Sequence, residues 1–321
     1  MTLGRTAALT DTGRKRRHNE DVYVVDPPIF AIADGMGGAK AGEVAAALAA
    51  DALRETAEGS GEDAVVGLIQ EANRRVYQRA TEDAAASGMG TTMTVALLDD
   101  GQVRIGHVGD SRAYLIRDGE LSQLTDDHSL VGELVRSGKL TPEDAESHPQ
   151  RSVITRALGT DPDVDVDTIT IETQSGDLFL LCSDGLYSMV GNDRIQELVE
   201  RNRGDLDKAA KALVAAANKG GGDDNITVVA FEIADAEGET QRLDRDPTSE
   251  QTRSPDEEDT LTEVDRVPAV TTMVVPPDEI EDVFEPKERA APRRPPRVVL
   301  ALLALIVLAI AASIVVYLLV R

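Results

Sequence analysis

The sequence predicts an α+β fold in which mostly antiparallel strands form the centre and helices cover the outside. Short apolar or alternating runs, typical of strands, recur through the first 234 residues. Two pairs, Asp100-Gly101 and Asp118-Gly119, separate neighbouring runs as tight hairpin turns require. Alanine-rich segments typical of helices do not alternate regularly with single strands, which disfavours a parallel sheet.

The individual elements follow from these local patterns. Thr141 followed by Pro142 is typical of a helix N-cap and first helical residue. Strands are predicted at approximately 6–11, 22–25, 29–33, 91–98, 102–108, 112–117, 168–172, 177–183 and 226–233. Helices are predicted near 41–57, 62–84, 193–201 and 205–218. The alternating acids Asp163, Asp165 and Asp167 are interpreted as an exposed edge strand in preference to a calcium loop.

The charge of the chain is acidic and unevenly distributed. The 321 residues carry a formal net charge of −25. Residues 1–234 hold 40 acidic and 23 basic side chains, residues 235–290 hold 18 and 6, and residues 291–321 hold 4 arginines and no acid. Because phosphate contacts need a basic face, this balance argues against nucleic-acid binding.

Composition divides the chain into three parts. We expect residues 1–234 to form a globular, monomeric domain and the acidic, Thr- and Pro-rich residues 235–297 to be a disordered juxtamembrane linker. Residues 298–320 are 23 uncharged, mostly aliphatic residues, and as a helix they reach about 34 Å, enough to span a bilayer core. Three arginines precede this run and one follows it, which predicts a single-pass anchor in the cell membrane with residues 1–297 in the cytoplasm.

Cysteine and histidine chemistry are both disfavoured by the sequence. Cys182 is the only cysteine, so no internal disulfide forms and a reducing compartment is expected. Position 188 is a serine where a cysteine phosphatase needs an arginine, and the four histidines lack the spacing of zinc ligands. We therefore interpret Cys182 as a core thiol on a strand.

Aspartates, in contrast, stand at the ends of apolar runs. Asp34 lies near the end of IFAIADG, Asp184 near the end of FLLCSDG, Asp224 near the start of DDNITVV, and Asp110 within IGHVGDSR. Carboxylates that are distant in sequence and gathered at strand ends suit Mg²⁺ or Mn²⁺, which prefer oxygen ligands. Gly35 permits a sharp turn after Asp34. The pattern indicates chemistry carried out by bound cations.

Eight motifs follow one another along the chain: RRHNEDVY, ADGMGGAKAGEVAA, GTTMTVALL, IGHVGDSRAYLIRDG, LTDDHSLV, SHPQRSVITRALG, LLCSDGL and GGDDNITVVA. In this order they resemble the PPM family of metal-dependent protein serine/threonine phosphatases in its bacterial form. The resemblance covers essentially all of residues 5–234. It implies a four-layer α-β-β-α sandwich with two central antiparallel sheets.

The same resemblance implies a cation site made of particular residues. Asp34 would bridge two Mn²⁺ or Mg²⁺ ions, the Gly35 carbonyl would bind one of them, and Asp184 and Asp224 would complete the protein ligands. Asp110, together with Asp184, would hold the third ion found in bacterial members. A hydroxide bridging the two ions would attack phosphorus.

Further residues are implied around that centre. Glu20 and Asp21 match acids that hold metal-bound waters, and Arg16 matches the arginine that binds the substrate phosphate; Arg16, Asp34 and Asp184 are thus the implied catalytic residues. Some members have a histidine, cast as the general acid, where this sequence has Met36. The proton for the leaving group then has another source: metal-bound water or the third-ion site is the first candidate, and His148 is a weaker one.

The predicted function is hydrolysis of phosphoserine and phosphothreonine on cytoplasmic proteins, in opposition to Ser/Thr protein kinases. A kinase is an expected partner and substrate. Two alternatives stay open: a non-catalytic phosphoprotein-binding scaffold, which predicts loss of a metal aspartate, and a small-molecule phosphohydrolase.

Overall fold

Two antiparallel sheets form the centre of the domain in a computed structural model, which describes residues 1–37, 41–56, 61–146, 148–235 and 273–274. The strands in chain order are β1 (Thr2–Asp11), β2 (Asp21–Asp26), β3 (Ile29–Met36), β4 (Gly90–Thr91), β5 (Met93–Asp99), β6 (Gln102–Val108), β7 (Arg112–Arg117), β8 (Glu120–Gln123), β9 (Val153–Ile154), β10 (Asp167–Glu172), β11 (Leu178–Cys182), β12 (Ile226–Ala234) and β13 (Met273–Val274). The first sheet has the order β1-β12-β11-β7-β8, and the second has the order β10-β6-β5-β3-β2 with β4 paired to β3. β9 and β13 form a separate parallel pair.

Helices cover the outer face of each sheet. Their bounds are α1 (Ala41–Thr56), α2 (Glu62–Glu82), α3 (Leu130–Arg136), α4 (Pro142–Glu146), α5 (Asp184–Tyr187), α6 (Asn192–Arg201) and α7 (Leu206–Gly220), with a 3₁₀ turn at Ala84–Ala86. Side-chain caps begin several of them: Ser129 accepts the amide of Gly132, and Asp205 accepts the amide of Lys208. The amide of Asp144 donates to Thr141 Oγ1 at 3.2 Å, which confirms the cap predicted there.

Alternation along the strands explains the layers. On β3, Phe30 and Ile32 point to the other sheet, where Phe30 stacks on Phe231 with ring centroids 4.1 Å apart. Ala31 and Ala33 point the opposite way, into a cluster with the small side chains of α1 and α2. A third cluster packs the far face of the first sheet against α6 and α7. Successive strand residues thus serve different layers, and the predicted four-layer α-β-β-α sandwich is confirmed.

The nine predicted strands and the four long helices are all present. Both Asp-Gly turns are confirmed, because Asp100 and Asp118 have positive φ, as tight hairpins require. Sequence reasoning merged β4 and β5 into one strand and missed the short elements β8, β9, β13, α3 and α5, whose runs are too brief to show periodicity. The edge-strand interpretation was wrong for Asp163 and Asp165, which lie in the loop before β10; it holds for Asp167, the first residue of that strand.

The predicted linker and anchor lie almost entirely outside the described residues. Of residues 235–297 only 235, 273 and 274 are described, and residues 298–320 are not. None of the helices in the described ranges has the length and apolar character that crossing a membrane requires.

Candidate metal centre

Four aspartates from separate parts of the chain meet where strands of both sheets end. Asp34 lies near the end of β3, Asp184 begins α5 directly after β11, and Asp224 precedes β12. Asp110 lies in the connection from β6 to β7. The negative charges of Asp184, Asp224 and Asp110 all act on Asp34, so the fold brings together the aspartates that the sequence singled out.

Burial and mutual repulsion govern the ionisation of these carboxylates. Desolvation, followed by the charges of neighbouring aspartates, raises the pKa of Asp34 and of Asp184 well above the usual range. Burial also raises the pKa of Asp110 to about 7, with Asp127 as the next cause. This electrostatic environment favours a bound cation, because a positive charge removes the repulsion that opposes ionisation.

Cations fit the residues present. Asp184 Oδ1 and Asp21 Oδ1 are buried and have no hydrogen-bond partner among the described residues. Buried carboxylate oxygens of this kind need a partner. Among the described residues, no group of three or more Asp, Glu, His or Cys side chains is already arranged so that it could hold a metal ion. The donors are hard oxygens, which match Mg²⁺ and Mn²⁺.

Gly35 lies where backbone approaches backbone. A Cβ at this position would lie 2.1 Å from the carbonyl oxygen of Gly42 in α1, a distance that no side chain can occupy. The Gly35 amide donates to the carbonyl of Glu20 at 3.1 Å. These contacts hold the chain directly after Asp34 in one position without placing any side chain beside the carboxylates.

Asp21 is held through one carboxylate oxygen by two hydroxyl groups. It lies opposite Asp34 in the register of β2 and β3. Its Oδ2 accepts hydrogen bonds from Ser183 Oγ at 2.7 Å and from Thr227 Oγ1 at 2.6 Å. Burial nevertheless raises the pKa of Asp21 to about 6, because desolvation outweighs these two bonds.

Arg16 and Glu20 lie at the half-buried side of the cluster. Arg16 Nη2 donates to Asp224 Oδ2 at 2.7 Å, and Arg16 Nη1 lies 4.0 Å from Glu20 Oε2. About a quarter of the Arg16 side chain (24%) is exposed, so the guanidinium is open to solvent on one side. The arginine predicted to bind phosphate therefore borders the cluster and pairs with one of its predicted ligands.

Sequence reasoning missed the residues that hold these acids in place. Asn225 Oδ1 accepts the amide of Glu20 at 2.8 Å, and its Nδ2 donates to the carbonyls of Thr12 and His18. Thr92 Oγ1 accepts the amide of Asp34 at 3.0 Å. Thr92 lies in the motif GTTMTVALL and Asn225 in GGDDNITVVA, but only the fold shows which backbone groups they contact.

The backbone of Asp110 is held by a tyrosine, which in turn packs against an ion pair. Tyr187 Oη donates to the carbonyl of Asp110 at 3.0 Å. The guanidinium of Arg112 lies 3.6 Å from the centre of the Tyr187 ring and forms two hydrogen bonds with the carboxylate of Asp127. The Arg112 guanidinium thus contacts both Asp127 and Tyr187.

The three side chains considered for proton or nucleophile chemistry lie in different settings. Met36 is buried against Ile154 and Ala157. His148 is partly buried, and its Nδ1 accepts the amide of Gln150 at 3.2 Å. Cys182 is buried on β11, where burial raises the pKa of its thiol to about 12, so it is a core residue as predicted.

Comparison with known proteins identifies a family. The family model described as protein phosphatase 2C matches residues 16–219. The serine/threonine phosphatase Stp of Listeria monocytogenes is 43% identical over 236 residues, covering 70% of this chain and 93% of that protein.

Solved structures agree with this match. The serine/threonine phosphatase PstP/Ppp of Mycobacterium tuberculosis is 38% identical with a TM-score of 0.69, covering 73% of this chain and 100% of the solved chain. A structure of the PstP catalytic domain in complex with 2 manganese ions is 36% identical with a TM-score of 0.67, over 73% of this chain and 99% of that one.

Proposed function

This chain belongs to the protein phosphatase 2C family, the PPM phosphatases, and we propose that it hydrolyses phosphoserine and phosphothreonine on cytoplasmic proteins at the aspartate cluster. It is a metal-dependent Ser/Thr phosphatase. The observation that carries the assignment to this site is the meeting of Asp34, Asp110, Asp184 and Asp224, with an unpaired buried oxygen on Asp184.

The residues that hold the cations in this proposal are those of the cluster. Asp34, Asp184 and Asp224, with the Gly35 carbonyl, would hold two Mn²⁺ or Mg²⁺ ions, and Asp110 with Asp184 would hold a third. When bound, such ions activate a water molecule for attack on phosphorus and neutralise charge on the phosphoryl oxygens.

The protein's own groups have separate tasks. Arg16, exposed on one side, binds the substrate phosphate, because a guanidinium can donate two hydrogen bonds to phosphate oxygens. Ser183 and Thr227 fix the orientation of the Asp21 carboxylate, and Asn225 fixes the position of the Glu20 backbone. Fixed acids around a charged centre reduce the reorganisation needed during reaction.

The leaving group must receive a proton from a source other than residue 36. The Met36 thioether carries no ionisable proton and is buried. His148 stays a candidate donor, because this residue, five positions before β9, is only partly buried. An Mn²⁺-dependent pH–rate profile of His148→Gln tests this role.

The expected setting of the enzyme is the inner face of the cell membrane. The apolar residues 298–320 and the arginines before them support a single-pass anchor, with residues 235–297 as an acidic tether and the catalytic domain as a monomer in the cytoplasm. A membrane Ser/Thr protein kinase is the matching partner and substrate. Fractionation of cells that express the full chain or a chain ending at residue 290 tests the anchor, and equal recovery of both chains in the soluble fraction would contradict it.

Substrate class is tested by comparing turnover. We expect Mn²⁺-dependent release of phosphate from phosphothreonine and phosphoserine peptides to exceed release from sugar phosphates at equal concentration. Preference for sugar phosphates would favour a small-molecule phosphohydrolase. Binding of phosphopeptides without turnover would favour the scaffold alternative.

A further inference from the structure

The loop from β6 to β7 places Asp110 in the acidic cluster, and Gly109 gives this loop its shape. Gly109 has φ +110°, a conformation that side-chain-bearing residues rarely adopt. A Cβ at Gly109 would also lie 2.6 Å from the side chain of Thr92. The position of Asp110 therefore depends on a glycine backbone that its neighbours must hold.

His128 contacts both polar groups of that glycine. The Gly109 amide donates to His128 Nδ1 at 3.0 Å, and the His128 amide donates to the Gly109 carbonyl at 2.8 Å. His128 is 3% exposed, so both hydrogen bonds are shielded from water. The side chain and the backbone of one residue thus clamp the residue next to Asp110.

The direction of these hydrogen bonds fixes the form of the His128 ring. An amide can only donate, so Nδ1 accepts and the ring proton of the neutral imidazole is on Nε2. Nε2 lies 3.1 Å from Asp167 Oδ2, which accepts that proton's hydrogen bond. The other carboxylate oxygen of Asp167 accepts from Arg156. Arg156 and Asp167 therefore hold the ring in the tautomer that the Gly109 amide requires.

His128 also joins this loop to a second part of the chain. Its carbonyl accepts the amide of Thr155 at 2.9 Å, and the next residue, Ser129, forms a bridge with Ile154 of β9. The chain at Ile154 and Thr155 and the loop that carries Asp110 are thus both held at His128. His128 lies in the LTDDHSLV motif, to which sequence reasoning assigned no role.

We propose that His128 is a positioning residue for Asp110, holding the Gly109 backbone so that the Asp110 carboxylate can bind a divalent cation. The inference rests on the proposed function, because it concerns one ligand of the proposed cation centre. Asp167 acts through His128 by fixing its ring. Outer contacts of this kind commonly change the metal affinity of a site by about 10- to 100-fold.

The test measures binding of Mn²⁺ alone to the full chain by calorimetry. Asp110→Asn identifies the part of the isotherm that depends on Asp110, and Asp34→Asn identifies the part that depends on Asp34. His128→Leu keeps much of the side-chain volume but removes the acceptor. His128→Asn keeps an acceptor close to the position of Nδ1 and serves as the rescue variant.

We expect His128→Leu to weaken the Asp110-dependent phase by about tenfold or more. The Asp34-dependent phase should persist in that variant, and His128→Asn should restore most of the lost affinity. A His128→Leu isotherm that superimposes on the wild type would overturn the inference. So would equal losses in the Leu and Asn variants, which indicate a role in packing only.

Two further variants keep the inference testable if His128→Leu does not fold. Asp167→Asn removes the partner of Nε2, and Asp165→Asn removes an equal charge from an exposed residue two positions away. Asp167→Asn should weaken the Asp110-dependent phase and Asp165→Asn should not; equal isotherms would refute the inference.

The outcome for the proposed function is separate. Loss of Mn²⁺ binding in Asp34→Asn supports the cation centre whatever His128 does. If Asp110→Asn binds Mn²⁺ as the wild type does, the inference fails and the two-ion centre stands. If neither aspartate variant changes the isotherm, the proposed cation centre itself is wrong.

Discussion

Asp21 and Asp34 lie directly opposite each other on β2 and β3, so two carboxylates occupy neighbouring positions at one buried end of a sheet. Cross-strand partners project to the same face, where like charges oppose each other. The negative charge of Asp21 is, after burial, the largest cause that raises the pKa of Asp34. The site thus concentrates charge at a cost in stability that a bound cation offsets.

Removing one negative charge from the aspartate cluster should stabilise the protein when no metal is bound. Asp184→Asn eliminates a buried charge whose Oδ1 has no partner among the described residues. We expect its free energy of unfolding in EDTA at pH 8 to rise by about 1 kcal/mol or more. Urea denaturation measures this change, with Asp163→Asn in an exposed loop as the control. A lower stability than the wild type would show that repulsion does not dominate there.

The hydroxyl groups around Asp21 should affect cation affinity. Thr227→Val removes one of the two hydrogen bonds that Asp21 Oδ2 accepts, and Thr227→Ser retains a hydroxyl at the same position. We expect the Val variant to bind Mn²⁺ about tenfold more weakly and the Ser variant to stay close to the wild type. Calorimetric titration with Mn²⁺ measures both. Equal affinities of Val and Ser variants would show that this hydrogen bond does not support the site.

Arg16 should contribute to substrate binding through the shape of its guanidinium. Arg16→Lys keeps the charge and loses the planar pair of donors, so KM for a phosphothreonine peptide should rise about tenfold with a smaller change in kcat. Lys15→Ala is the matched control, because Lys15 forms an exposed ion pair with Asp223. Steady-state kinetics with saturating Mn²⁺ compare the variants. An unchanged KM in Arg16→Lys would remove Arg16 from the phosphate site.

His107 should make the domain sensitive to acid. Burial lowers the pKa of His107 from 6.5 to about 3, with the neighbouring His128 as the next cause. Between these two pH values His107 takes up a proton in the unfolded chain but not in the folded protein. The contribution of His107 to the free energy of unfolding therefore falls as the pH falls below 6.5. The contribution of His107 is about 1.4 kcal/mol per pH unit.

Urea denaturation of the wild type and of His107→Gln at pH 6 and pH 5 measures that contribution. The stability advantage of the wild type over the variant should shrink by about 1.4 kcal/mol across this unit. The buried aspartates whose pKa is raised change stability in the opposite direction in metal-free protein, but they are present in both chains and cancel in the comparison. A difference between the two chains that does not vary with pH would contradict a neutral buried His107.

Most of the fold could be predicted from the sequence because its long elements have strong periodicity. The apolar run from Ile29 to Ala33 predicts a strand, and in the structure its successive side chains point alternately into the two layers that flank the sheet. The short helix α5 could not be predicted in this way. Its first residue is Asp184, and four residues show no helical period.

The acidic residues of the candidate site could be predicted from the sequence, but the residues that hold them in place could not. Asp34, Asp184 and Asp224 each adjoin a strong apolar run, so position alone marks them. Asn225 and His128 act through backbone groups that are distant in sequence, such as the carbonyl of His18 and the amide of Gly109. Contacts of that kind depend on tertiary structure and leave no pattern in a single sequence.

Hydrolysis of phosphoserine and phosphothreonine by this chain should depend on cations held at Asp34. The most direct test is Mn²⁺-dependent phosphate release from a phosphothreonine peptide by the wild type and by Asp34→Asn, with Asp118→Asn in a hairpin turn as an equal change of charge. We expect Asp34→Asn to lose at least about 3 orders of magnitude in kcat, because metal activation fails, while Asp118→Asn retains activity. Wild-type turnover by Asp34→Asn, or turnover that needs no divalent cation in either protein, would contradict it.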